Sequence, residues 1–156
     1  MENTFDQATK TGVPEEEVYP YNYYSSYSGI CSAYGIHCGY EEKNYYSMTD
    51  DEIIDELQTG PVAVALASDG WSSYSSGVFS CAYGAGVDHA VLIVGYTPTY
   101  WIVKNQWGLS WGVNGYIYVT RDRNYNCQIG YGVYVMGESK LTFVLAVLML
   151  LLTMMI

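Results

Sequence analysis

The apolar positions of this chain fall into short runs separated by turn residues, and their period changes along the sequence. Near the start, Phe5 and Ala8 share one side of a short helix expected over 1–11, with Gly12 as its C-terminal stop. Glu15, Glu16 and Glu17 form a solvated loop leading into Tyr19-Pro20-Tyr21. Residues 23–46 are rich in Tyr, Ser and Gly without a clear period, which predicts loop and extended chain. A second helix starts sharply after Met48. Thr49 can cap it, Glu52 completes a capping box, and Asp50 and Asp51 suit the positive end of the helix dipole. Ile53, Ile54 and Leu57 give it an apolar stripe, and Gly60-Pro61 stops it.

Beyond this helix the pattern reads as sheet. Residues 62–67 are a continuous apolar run of small side chains, expected as a buried strand. Residues 69–81 read as a surface excursion carrying Trp71 and Tyr74. The runs 91–94 and 101–103 are β-branched or aromatic, and Thr97-Pro98-Thr99 makes a short turn between them, so they are expected as antiparallel neighbours. Residues 116–120 form a further strand, 124–128 a turn and 129–136 a last strand. The class is α+β, with the sheet dominant and the helices before it.

After Lys140, the last charge, residues 141–156, from Leu141 to Ile156, are almost wholly apolar. As a helix they would be about 24 Å long, against roughly 30 Å of hydrocarbon. That is short for a span but within reach of snorkelling or a thinner bilayer. A soluble helix would show a polar face and this segment shows none, so a membrane anchor is expected within 137–156. A glycolipid-anchor signal is the alternative: Gly137 and Ser139 are small enough, but the polar spacer is nearly absent.

Composition narrows the function classes. At 156 residues, half of them hydrophobic, the chain is long enough to bury one sizeable core and is not a disordered polymer. A net charge of −10 argues against nucleic-acid partners. Of the acids only Asp69, Asp88, Asp122 and Glu138 follow Gly60, and the acidic first part is explained as solvated surface and helix capping rather than a metal site. Four cysteines in a short, aromatic-rich chain suggest disulfides and an oxidising compartment, with three pairings open. Met1-Glu2-Asn3-Thr4-Phe5-Asp6 is no signal peptide. These two readings conflict, and a preceding segment outside this sequence is the expected resolution. Cys31, His37 and Cys38 cluster, but zinc needs a fourth ligand and no second paired motif supplies one; a local Cys31–Cys38 disulfide fits better.

The candidate chemistry lies in the hairpin. Antiparallel strands over 91–94 and 101–103 bring His89 and Asn105 to the same end of the sheet. An asparagine that accepts from one imidazole nitrogen fixes the tautomer and frees the other as a base. The Gly and Trp residues after Asn105 suggest a tight loop with indoles packed over it.

Val87-Asp88-His89-Ala90, Gly95-Tyr96, Trp101-Ile102-Val103-Lys104-Asn105, Trp107-Gly108, Trp111-Gly112 and Gly115-Tyr116 together resemble the second half of the papain-like cysteine proteases. Residues 1–11 resemble the mid-domain helix that follows a Cys-Asn-Gly-Gly segment in that family, and Tyr19-Pro20-Tyr21 and the Tyr before Gly77-Val78-Phe79 fit as well. The resemblance implies a partial papain-like domain over 1–136, its second lobe, with an antiparallel sheet bent toward a barrel. It implies that His89 is general base and ion-pair partner, that Asn105 orients it, that Trp107 shields their hydrogen bond and that Asp88 adjusts the local electrostatics. Ala65, Val87, Ala90 and Gly132 would line a substrate pocket for a bulky apolar side chain. The family disulfide at these positions would join Cys81 to Cys127, close a loop of about 45 residues and stabilise by roughly 4 kcal/mol. In the family the cysteine at the Cys31 position often bridges to the other lobe.

Several features depart from the family. Gln106 stands where Ser is usual, a change expected to do little to the His–Asn pair, and Gln128 stands where Gly is usual. No segment matches the nucleophile motif C-G-[SA]-C-[WY]; Cys31, Cys38, Cys81 and Cys127 all lie in turn-like stretches. The oxyanion glutamine just before that motif is absent too. The expectation is a fragment of a papain-like endopeptidase whose nucleophile lobe lies outside this sequence. It would hydrolyse peptide bonds through an acyl-thioester, need no metal or organic cofactor, and work in a secretory or lysosome-like compartment or at the cell surface. The alternative is a membrane-anchored, non-catalytic relative that binds peptides or proteins. A third arrangement, in which another polypeptide supplies the lobe, finds no support in the sequence.

Overall fold

The structure is a computed structural model that describes residues 40–138, with side chains over 47–135. Two compact units divide the chain, Lys43–Val135 and the paired segments Met1–Glu42 and Met136–Ile156; the described side chains belong to the first. The expected first helix, Tyr19-Pro20-Tyr21, Cys31, His37, Cys38 and the tail at 141–156 lie outside the described residues.

The described chain runs β1 (Tyr40–Ser47), α1 (Asp50–Glu56), β2 (Val62–Leu66), a 3₁₀ turn (Trp71–Ser73), β3 (Val78–Phe79), β4 (His89–Tyr96), β5 (Tyr100–Lys104), β6 (Tyr116–Thr120) and β7 (Tyr131–Glu138). The seven strands form one sheet in the order β1-β7-β2-β4-β5-β6-β3. β4 pairs antiparallel with β2 and β5, β2 with β7 and β5 with β6. β3 alone among the described pairings runs parallel, to β6. This is the expected α+β, sheet-dominated architecture. β1 adds a strand at the end of the stretch that its sequence leaves as loop and extended chain.

Alternation decides which side chains enter the core. On β5, Trp101 and Val103 are buried while Lys104 points out; on β6, Ile117 and Val119 are buried. β2 is buried almost throughout, because β4 and β7 flank it and α1 follows the same core with Ile53. Each fully buried Val, Ile or Leu contributes about 1.5–3 kcal/mol relative to its exposed state. α1 carries the expected capping box: Thr49 Oγ1 accepts from the Glu52 N–H, and Glu52 Oε2 accepts from the Thr49 N–H at 2.7 Å. Those bonds from Thr49, backbone first, hold the Glu52 carboxyl below its usual range.

Two expectations need refinement. The 69–81 excursion runs over the surface as expected, with its serines and glycines exposed, but Trp71 and Tyr74 turn into the core: Trp71 is 0% exposed and Tyr74 8%. Burying them removes a large apolar area from water, and the Tyr74 hydroxyl and the Trp71 backbone carbonyl find partners, whereas the Trp71 indole N–H has none among the described residues. Tyr74 Oη donates to the Gly77 carbonyl at 2.7 Å and accepts from the Tyr118 N–H, while Trp111 Nε1 donates to the Trp71 carbonyl at 2.9 Å. Burial pushes the Tyr74 phenol pKa up. The last strand starts at Tyr131 rather than 129. Cys127 and Gln128 adopt left-handed φ of 58° and 63°, and Asn126 Nδ2 donates to the Ile129 carbonyl, so Ile129 stays in the turn although buried. Left-handed backbone at two successive non-glycine residues is costly, and tertiary contacts must hold it there.

Candidate active site

His89 is the first residue of β4, and Asn105 follows the last residue of β5. The hairpin pairs Leu92 with Lys104, Ile93 with Val103 and Tyr96 with Trp101, with a bulge between Ile93 and Gly95. That register brings His89 and Asn105 together: His89 Nε2 lies 3.0 Å from Asn105 Oδ1. The Gln106 backbone N–H also donates to Oδ1, at 2.9 Å. An amide NH₂ in that place would face a second donor, so the oxygen belongs there and Nε2 must carry the proton. Nδ1 is then the unprotonated nitrogen, with no hydrogen-bond partner among the described residues.

Two indoles flank the imidazole and a third backs them. The Trp107 ring lies 5.1 Å from the His89 ring, tilted by 34°. Trp71 meets His89 edge-on at 5.8 Å, and Trp111 stacks behind Trp71 at 6.1 Å. Asn105 is 8% exposed and Trp107 41%, so the tryptophan covers one side of the hydrogen bond while keeping its own outer edge in water. The loop that carries it turns tightly at Gly112, where an added Cβ would lie 2.5 Å from the Tyr116 carbonyl oxygen. The Asn105 N–H reaches across this loop to the Gly115 carbonyl at 3.0 Å.

Asp88 sits just before His89 with its side chain turned to β2. Its Oδ1 accepts from the Ser68 N–H at 2.8 Å and from Ser68 Oγ at 3.0 Å, and its own N–H donates to the Leu66 carbonyl. These contacts tie the approach to β4 onto the end of β2. Ala65 pairs with Ala90 across β2 and β4, and a Cβ added at Gly132 would come within 3.3 Å of the Ala65 Cβ. The three small residues therefore meet on one face, and Gly132, at φ +66°, keeps it flat. Val87 is exposed on the chain leading into β4. Cys81 and Cys127 form a buried disulfide, at a sequence separation of 46. Gln128 in the following turn is anchored by Nε2 donating to the Ala85 carbonyl at 2.7 Å. Among the described residues no group of side chains could hold a metal ion.

Sequence reasoning missed Trp71 and Ser68 as neighbours of the site, while Trp111 belongs to the indoles expected over the loop after Asn105. The only signal for Trp71 was its size in a segment otherwise poor in large apolar residues.

A buried asparagine thus holds one nitrogen of a histidine where two strands part, with indoles against the ring. The model of the papain family cysteine proteases matches residues 1–136, and the chain belongs to that family. It is 35% identical over 120 residues to macrodontain-1 of Ananas macrodontes, covering 73% of this chain and 55% of that protein. It is 36% identical over 122 residues to human cathepsin O, covering 70% of this chain and 37% of the other. The chain thus spans about half, or less, of the length of these relatives. Among solved structures it resembles procathepsin L 3 from the larval midgut of Tenebrio molitor, with TM-score 0.71 and 30% identity over 88% of this chain and 48% of that one. It also resembles the bromelain protease of Ananas comosus in complex with the E64 inhibitor, with TM-score 0.70 and 26% identity over 86% and 67%.

Proposed function

We propose that this chain is the histidine- and asparagine-bearing part of a papain-like cysteine endopeptidase, and that a cysteine it does not itself contribute supplies the thiol. The observation that carries the reading is the 3.0 Å contact from His89 Nε2 to Asn105 Oδ1, with Nδ1 free of hydrogen bonds to the described residues. A thiol placed at Nδ1 would give up its proton there and attack a peptide carbonyl as thiolate. The positive charge that the ring then carries is met by Asn105 Oδ1 on one side and by the Trp107 indole on the other, a cation–π arrangement at 5.1 Å. As the acyl-thioester forms, the same nitrogen returns the proton to the leaving amine, and it next takes one from water. The substrates are peptides or proteins. The flat face of Ala65, Ala90 and Gly132, with Val87 beside His89, supports a pocket for a bulky apolar side chain, and a peptide-library profile preferring charged residues there would overturn that part.

The disulfide supports folding in a secretory or lysosome-like compartment or outside the cell. The apolar run at 141–156 supports attachment of this product to a membrane, whereas no helix among the described residues is long and apolar enough to cross one. Detergent-phase partitioning that is lost on deletion of 141–156 would support attachment.

The decisive experiment reads the transcript upstream of the Met1 codon and expresses the continuous frame found there. A frame encoding C-G-x-C-W, whose product hydrolyses peptides and is blocked by thiol alkylation and by His89→Ala, is the expected result. The chain expressed as printed is expected to hydrolyse nothing. Cleavage by that chain, abolished in His89→Ala, would overturn the need for an added thiol. The second reading, a binding module without catalysis, would gain from stop codons in frame ahead of Met1.

A further inference from the structure

We propose that Gln106 is a positioning residue for His89. The proposal deepens, and rests on, the reading of His89 and Asn105 as base and orienter. The β4–β5 ladder begins at the Leu92–Lys104 pair. Past that pair β5 parts from β4 while staying bonded on its other side: the Asn105 N–H donates to the Gly115 carbonyl, in line with the β5–β6 register. His89 and Ala90 thus extend beyond the point where the two backbones are zipped, and the His–Asn contact stands across an open fork. Gln106 spans that fork. Its backbone N–H donates to Asn105 Oδ1 at 2.9 Å, and its side-chain Nε2 donates to the carbonyl of Ala90, the residue after His89, at 3.4 Å.

These contacts close a circuit. His89 Nε2 donates to Asn105 Oδ1, Asn105 is held in orientation by Gln106, and Gln106 is held to β4 one residue from His89. A serine, with a hydroxyl two bonds closer to its backbone, has less reach toward Ala90. The longer amide at this position therefore substitutes for a missing rung of the ladder. It keeps both the spacing and the relative tilt of the two functional side chains. The backbone N–H alone would still orient the Asn105 amide, but beyond the Leu92–Lys104 pair its distance from β4 would rest on the His89 contact alone. Gln106 is itself exposed, so water competes for its amide and the effect is of modest size.

The test uses the chain as printed, ¹⁵N-labelled, and follows exchange with water of the proton on His89 Nε2. The sequence has two histidines, so the signal is assigned by its loss in His89→Gln. Asn105→Ala is the reference for complete loss. Gln106→Ala and Gln106→Glu are each expected to exchange about five-fold faster than the parent, the loss expected for one neutral hydrogen bond. The glutamate keeps the length and removes the donor, so it separates hydrogen bonding from bulk and serves if the alanine variant misfolds. Parent-like exchange in Gln106→Glu overturns the proposal. A parent chain without a slowly exchanging Nε2 proton overturns the His89–Asn105 reading first, and the role of Gln106 with it. A slow proton in the parent that Gln106→Glu leaves unchanged overturns only the role of Gln106.

Discussion

The β4–β5 hairpin carries a polar cluster at each end, and the two are built for opposite purposes. At the turn end, Arg121 lies over the Trp101 ring at 4.8 Å, pairs with Asp50 through Nε at 3.0 Å and donates through Nη1 to the Thr97 carbonyl at 2.9 Å. Arg123 pairs with the other Asp50 oxygen at 3.0 Å. Charge meets charge, and the start of α1 is fastened to the turn. At the open end, His89 turns one nitrogen to Asn105, and the other meets no hydrogen-bond partner among the described residues. Both clusters lean on indoles. The difference is that the structural cluster closes its charges on one another, whereas the site leaves one basic atom in reserve and holds it still.

Breaking either end tests this contrast. The largest effect is expected on catalysis: in the continuous-frame protein, His89→Ala should lower kcat/KM by about 10²–10⁴-fold. Chemical denaturation should show its stability within about 1 kcal/mol of the parent. Trp101→Ala should do the reverse, removing about 3–5 kcal/mol of unfolding free energy while the surviving folded fraction keeps the His89 Nε2 proton signal. Asp50→Ala strands two arginines at a site only partly open to water, where its side chain is 18% exposed. A loss of about 2 kcal/mol is expected, between the values for surface and buried pairs, and urea midpoints would measure it.

The smallest effect is expected at Tyr74, which lies behind the indoles of the site. Tyr74→Phe removes the hydroxyl bonds to Gly77 and Tyr118 and should cost about 1 kcal/mol near neutral pH. Its phenol pKa is raised in the folded state by burial. Stability from this group is therefore complete below the ordinary value of 10.0 and is lost as pH rises through the folded value. The phenylalanine variant should lose less stability than the parent across that alkaline window. Equal slopes would mean that Tyr74 ionises as freely folded as unfolded.

Much of the fold was legible because it rests on local rules. The capping box at Thr49 and Glu52 needs only neighbours on one turn. The hairpin around Thr97-Pro98-Thr99 needs only two β-branched or aromatic runs and a short turn, and its register follows from keeping Trp101, Val103 and Ile93 on the buried side. From that register the meeting of His89 and Asn105 follows directly. The Cys81–Cys127 bond was legible by family resemblance alone, since spacing leaves three pairings open.

What the chain order by itself could not reveal is set by contacts between residues far apart in sequence. Trp71 and Tyr74 look like loop aromatics until Trp111, 40 residues on, stacks on the first and bonds its backbone carbonyl, and the Tyr118 N–H, 44 residues on, donates to the hydroxyl of the second. Arg121 meets Asp50 across 71 positions. The tautomer of His89 depends on which atom of Asn105 faces it, and that is decided by a backbone N–H of the next residue once β5 has parted from β4. Periodicity and capping report on one element at a time, so the sequence determined the strands, the helix start and the pair at the end of the hairpin. Only the packed structure decided which nitrogen faces the asparagine, because that depends on atom positions at hydrogen-bond distance, about 3 Å, which periodicity and capping do not report.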